Sequence, residues 1–277
     1  MNLAGGSWMW SASLRYLFSL PMMAVLVWQK GELKGVLSAI ARALWTWLLW
    51  STVGFGLFYA PLSMASIYGE SWFVAATWQI TILAGLLLTP LFGQKIPRKQ
   101  LGMTLLILLG IVLIQIPYFG RGLGEGVVRA SILILIAAFS YPLGNRKMLV
   151  HCKEEQLSTT QRVFGMTLMS VPFWMLLSVF AGVDAGLPSG GQMLQSLIVA
   201  VFSGVIATML FFEATNLVKH NHQQLAVVEA TQAGEVLFTL FGGCLFLGDQ
   251  IPTPLGFLGV FIVIIGIVGN SLLTSSE

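Results

Sequence analysis

Two carboxylates stand inside an apolar stretch long enough to cross a bilayer: Glu229 and Glu235 in Gln223–Gly248, QQLAVVEATQAGEVLFTLFGGCLFLG. A helix rises about 1.5 Å per residue, and the hydrocarbon core is roughly 30 Å thick. An acid at the centre of such a span costs roughly 2.5–3.5 kcal/mol on insertion scales, so it faces a cavity or a partner rather than lipid. Steps of three and four from Glu235 collect Thr231, Gln232, Thr239 and Gly242 on one face, with Val227, Leu237, Leu240 and Phe241 behind. That stripe can bind a solute or a proton. The plainer alternative is a polar patch that holds helices together. Glu235 lies near the middle of its stretch, so its solvation must come from within the protein. There it can hold a proton or a cationic solute, but not comfortably both. Glu229 is nearer one end and closer to water.

Two arginines also fall inside apolar stretches. Arg15 lies about a third of the way into its own and is a candidate cavity-facing cation. Arg162 is near the start of its stretch, where a long side chain can snorkel to the surface. At an offset of 154 residues, Thr77, Trp78, Thr81 and Gly85 take the places of Thr231, Gln232, Glu235 and Thr239. The same face is polar or small in both, as expected of two helices bordering one central cavity. Trp78 beside a carboxylate suits a lipophilic cation, which gains from charge and ring face together.

Those residues need spans to carry them. Of 277 residues 56% are hydrophobic and 9% charged, against about 25% charged in ordinary globular domains. The pattern predicts nine spans, at about 7–28, 44–66, 71–92, 100–117, 128–145, 161–182, 195–217, 224–247 and 255–274. This is an all-α polytopic membrane protein, with no room for a sizeable soluble domain. Loops on one side hold ten Lys and Arg against two on the other, which places the C-terminus in the cytoplasm and the N-terminus outside. A multi-pass protein of the plasma membrane is expected.

Landmarks recur at a slowly drifting offset. Ser11–Arg15 parallels Ser158–Arg162 at 147, Phe58-Tyr59 parallels Phe211-Phe212 at 153, and Leu109-Gly110 parallels Ile265-Gly266 at 156. Two duplicated units follow, 1–122 with four spans and 123–277 with five. Five spans per unit make the repeat inverted across the membrane, the usual plan of secondary carriers. The first unit lacks a counterpart of SILILIAAFSYPLGNRK: either the protein works with nine spans, or, as the opening MNLAGGSWMW reads like the middle of a protein, that span is expected upstream of Met1. Gly256, Gly259, Gly266 and Gly269 allow close helix contact in the last span, within the bundle first and in a homodimer second.

Enzyme chemistry finds little support. The two aspartates, Asp184 and Asp249, sit at loops, no histidine lies mid-span, and no nucleotide or metal motif is visible. Cys152, read as a loop residue, and Cys244 form no disulfide framework. No metal or cofactor and no nucleic-acid partner is expected.

The segments LAGGSWMWSASLRYLFSLP and VEATQAGEVLFTLFG, the five-span units and the Pro-containing turn before the last helix of each unit resemble the drug/metabolite transporter superfamily. More narrowly they resemble its multidrug resistance efflux branch. The resemblance implies a proton-coupled exporter of lipophilic or cationic compounds, with a small-molecule substrate and protons as its partners within the lipid bilayer. An exporter of amino acids or similar small metabolites is the alternative within that fold. A shortened subunit that only associates with other membrane proteins is another.

Overall fold

In lipid, every backbone N–H and C=O must be paired within the protein, and apolar stretches of this length achieve that as helices. The computed structural model describes residues 6–68, 71–119, 125–242, 245 and 253–275, and no strand occurs among them. In chain order the helices are α1 (Trp8–Gln29), α2 (Leu33–Arg42), α3 (Leu44–Ser51), α4 (Leu57–Tyr68), α5 (Ser71–Trp78), α6 (Ile80–Leu87) and α7 (Arg98–Phe119). Then follow α8 (Glu125–Glu154), α9 (Thr159–Ala185), α10 (Gly190–Val199), α11 (Thr208–Leu217), α12 (His222–Ala230), α13 (Gly234–Gly242) and α14 (Pro254–Ser275). Five stretches are long and apolar enough to cross a membrane among the described residues: Trp8–Gln29, Leu44–Tyr68, Val128–Glu154, Thr159–Ala185 and Gly190–Leu217. The molecule is an all-α membrane protein.

Helix starts follow local chemistry. Ser158 accepts from Gln161 N at 3.1 Å while Gln161 Oε1 accepts from Ser158 N at 2.9 Å, closing a capping box on α9. Asn221 accepts from Gln223 N and Gln224 N and opens α12.

Three features depart from the expected spans. The loop after the first span folds into α2, which buries Val36, Ala39 and Ile40 on one side and exposes Lys34 and Arg42 on the other. Alternating pairs spaced by three and four residues make it an amphipathic surface helix, too short to register as a span. The fifth stretch runs on to Glu154. Cys152 therefore lies in α8 and is buried, not in a loop as expected, because its helical face turns inward. Lastly, π-helical turns interrupt two spans, at Thr52–Gly56 between α3 and α4 and at Ala200–Ala207 between α10 and α11. Each holds a glycine where another element presses close. A side chain on Gly54 would meet the backbone of Gly144 and Asn145, and one on Gly204 would meet the Ser19 hydroxyl.

The chain forms two compact units, each drawing helices from both halves of the chain. Unit 1 comprises Met1–Ile67 and Phe139–Leu217; unit 2 comprises Tyr68–Ala138 and Val218–Glu277. Within unit 1, Tyr16 stacks on Trp174 at 4.4 Å between ring centres and meets Phe55 and Tyr59 at 5.3 and 5.7 Å. Phe58 and Tyr141 stand 4.6 Å apart.

Unit 2 is built on the crossing of α7 and α14. A side chain on Gly259 would stand 2.5 Å from Gly110 O, and one on Gly110 would stand 2.7 Å from Gly259 O. Only two glycines let the backbones meet so closely. Gly266 and Gly269 face Ile107 and Met103 in the same seam, so three of the four expected packing glycines lie against α7. The core holds residues that lie 154 to 156 positions apart in the sequence: Ala76 with Ala230, Ile82 with Val236, and Ile107 with Val263. The turn at Ile251-Pro252 lies outside the described residues.

Candidate functional site

The stretch that carries both carboxylates is not one continuous helix. Between α12 and α13 the chain tightens into a 3₁₀ turn at Thr231–Ala233. A 3₁₀ turn advances about 120° per residue against about 100° for an α-helix, so three residues swing the following face by about 60°. Thr231 Oγ1 donates to Val228 O at 2.6 Å, and Gln232 Nε2 donates to Glu229 O at 3.2 Å. The two polar side chains thus bind the carbonyls at the turn.

A second break lies about 154 residues earlier. Between α5 and α6, Gln79 N donates to Ala76 O at 3.2 Å and Ile82 N to Gln79 O at 3.1 Å, both with three-residue spacing. Gln79 Nε2 donates to Ala75 O at 3.3 Å, the same kind of amide support that Gln232 gives. Gln79 is fully buried and went unnamed in the sequence reading, where its neighbours Thr77, Trp78 and Thr81 drew attention instead. Its signal was its position, at the step aligned with Ala233.

The named side chains distribute as follows. Leu225, Ala226, Glu229, Ala230, Ala233 and Val236 form the buried face, so the Glu229 carboxylate is turned inward. Thr231, Glu235 and Phe238 share the opposite, exposed face, with Gln232 partly buried beside them. Trp78 and Thr81 are buried, Thr81 Oγ1 donating to Ala138 O at 3.1 Å, and Thr77 is partly buried. The side chain of Thr239 lies outside the described residues.

Arg15 belongs to unit 1, 7% exposed. Its Nη2 donates to Ser203 Oγ at 3.1 Å and Ser203 O at 3.4 Å. Ser203 lies in the second π turn, and Thr208 Oγ1 donates to the same carbonyl at 2.8 Å. The guanidinium stands 4.2 Å from the Tyr59 ring centre and 5.1 Å from that of Tyr16. A desolvated cation–ring contact is worth about 2 kcal/mol, and a hydrogen bond to a charged group about 1.5–3. Together they are large enough to offset the cost of a charge at this depth. Nε and Nη1 are buried and make no hydrogen bond among the described residues.

Arg162 does not snorkel as expected. It is 2% exposed, because Nη2 turns inward to Phe212 O at 2.8 Å and Thr215 Oγ1 at 3.0 Å, and its guanidinium lies 4.5 Å from the Phe212 ring centre. Two hydrogen bonds from Nη2 and a ring face hold the charge inside, while Nε is buried and makes no hydrogen bond among the described residues.

Comparison with known proteins adds the family. A family model for EmrE, "Putative multidrug resistance efflux transporter", matches residues 1–276. The chain is 46% identical over 284 residues to "Uncharacterized protein YjlA" of Bacillus subtilis (strain 168), covering 97% of this chain and 86% of that protein. It is 40% identical over 245 residues to "Uncharacterized 42.1 kDa protein in intracellular alkaline protease 3'region" of Shouchella clausii. That match covers 85% of this chain and 64% of the relative's length. A crystal structure at 11% identity superposes with a TM-score of 0.72 over 96% of this chain and 87% of its own, a likeness of fold alone. With residues 1–276 matched, the chain belongs to the EmrE family of transporters.

Proposed function

We propose that this chain is a secondary active exporter of lipophilic or cationic compounds that exchanges them for protons. The observation that carries the reading is the pair of matched breaks, at Gln79 and at Thr231–Ala233. Carriers bind solutes where spanning helices are discontinuous, because backbone and polar side chains there face a cavity rather than lipid. Glu235, on the exposed face beyond the second break, is the proton- and cation-binding group of this scheme. Thr231, Gln232, Thr77, Trp78 and Thr81 complete the lining, with Glu229 behind. The reading includes two inverted units, 1–122 and 123–277, nine spans, a plasma-membrane location and a cytoplasmic C-terminus.

A second reading, export of small metabolites such as amino acids, is favoured by Arg15, whose buried cation suits an acidic group. Flux into proteoliposomes decides. Tetraphenylphosphonium should accumulate only when a pH gradient is imposed, and amino acids should not compete. Competition by amino acids would select the second reading. No flux of either, with folded protein in the membrane, would leave a non-transporting subunit.

A further inference from the structure

The two buried arginines of unit 1 are set alike but differ in what answers their charge. Each stands over a ring and gives Nη2 to a carbonyl and a hydroxyl on α11 or the π turn before it. Around Arg162 the acting groups include a carboxylate, Glu213, on α11. Around Arg15 they are Tyr16, Tyr59 and Tyr141, and no acid is among them. Arg15 also keeps two buried nitrogens, Nε and Nη1, without a hydrogen-bond partner among the described residues. A guanidinium is a planar fork of five N–H donors shaped for a carboxylate.

From this geometry we infer that Arg15 is the anion-binding residue of a solute site in unit 1, taking a compound with a carboxylate on a flat apolar body. The carboxylate meets the donors that Ser203 leaves over. The body lies among the rings that surround the cation: Tyr59 and Tyr16 beside it, with the partly buried Phe211 and Tyr141, 6.1 Å apart, beyond. Arg162 leaves one such nitrogen, Nε, and has a carboxylate among the groups that act on it, whereas Arg15 leaves two and has none. Ser203 sits in a π turn, a local distortion found often at functional sites. The inference deepens the carrier reading and rests on it for the presence of a solute path.

Binding and flux are measured separately, so the two ideas can fail separately. The probes are naphthoate and its neutral isostere naphthamide, titrated calorimetrically into purified full-length protein in detergent. Naphthoate should bind at least about tenfold more tightly than naphthamide, the scale of one charge-assisted hydrogen bond. Equal affinity, or no naphthoate binding, overturns the proposal even where proteoliposomes show flux. Arg15→Lys keeps the charge but loses the fork, and should weaken naphthoate about tenfold while leaving naphthamide unchanged. Unchanged naphthoate affinity also overturns it. Ser203→Asp tests the same point without touching the arginine, since it sets a carboxylate of the protein's own against the fork. Naphthoate should then lose its advantage over naphthamide, and an advantage that persists would refute the assignment. Binding as expected without flux of any solute instead counts against the carrier reading.

Discussion

The Arg15 guanidinium lies 4.2 Å from the centre of the Tyr59 ring, and the aligned pair Arg162 and Phe212 repeats the contact at 4.5 Å. The arginines are 147 residues apart and the rings 153. Those are the offsets of the repeat landmarks, so one solution to burying a cation occurs twice in unit 1. Only the ring face is common to both, since Phe212 has no hydroxyl. Tyr59→Phe should therefore be nearly silent. Tyr59→Leu should destabilise by about 2 kcal/mol, the value of a desolvated cation–ring contact. Unfolding midpoints in mixed micelles measure both. Equal losses for Phe and Leu would show that the hydroxyl, not the ring, holds Arg15.

Much of this was legible. Unbroken apolarity locates the five long apolar helices among the described residues, and a charged residue inside an apolar stretch locates Arg15 and Arg162. The breaks were not legible. Thr231-Gln-Ala233 contains neither proline nor glycine, and what holds the turn is two side chains bonding backward to Val228 and Glu229. Stepping by three and four across it assumes one uniform helix, so the inward turn of Glu229 could not be foreseen. The π turns are hidden for a similar reason. They rest on contacts from distant residues, Gly144 and Ser19, not on local composition. Cys152 was misplaced because a polar run, CKEE, looks like a loop even while it continues a helix.

The α7–α14 seam offers a test of packing. A methyl on Gly259 would stand 2.5 Å from Gly110 O and 2.8 Å from Ile114 Cγ1. A backbone carbonyl cannot move aside as a side-chain end can, so the helices must separate. Gly259→Ala should cost about 1–3 kcal/mol, the usual penalty for overpacking. Gly102→Ala, also on α7, meets nothing within 4 Å. It should be neutral or slightly stabilising through helix propensity. The same unfolding measurement compares them, and equal effects would mean the seam is not tightly packed.

A pH effect is expected where α2 meets the end of α8. The Arg42 guanidinium bonds the Glu155 carboxylate and holds its carboxyl below the usual glutamate range. A lowered acid contributes stability above its unfolded value, about 4.3, and loses it as pH falls through the lowered one. Both side chains are solvated, so the effect is small and weakened by salt. Glu155→Gln should lower the unfolding midpoint slightly at pH about 7, with the gap closing below pH about 4. A gap that widens toward acid would show the sign to be wrong.

The carboxylates themselves give the sharpest comparison. Glu229 is packed inward with Ala226 and Ala233, whereas Glu235 stands on the exposed face with Thr231 and Phe238. In the exchange scheme the coupling group must be reached by both proton and solute in turn, which the exposed face permits. Glutamine is nearly isosteric with glutamate but cannot carry the proton. Glu235→Gln should therefore leave the unfolding midpoint within about 0.5 kcal/mol of the parent, as surface substitutions do. It should abolish gradient-driven uptake of tetraphenylphosphonium while leaving downhill movement of neutral compounds. Glu229→Gln should affect transport less and stability more, because its carboxylate is packed within the protein and its partners there must accept an amide in its place. Proteoliposome flux with and without a pH gradient, run beside the unfolding measurement, separates the two roles. Concentrative uptake by Glu235→Gln at the parental rate would leave Glu235 as helix-holding polarity, and would move the search for the coupling group to Glu229.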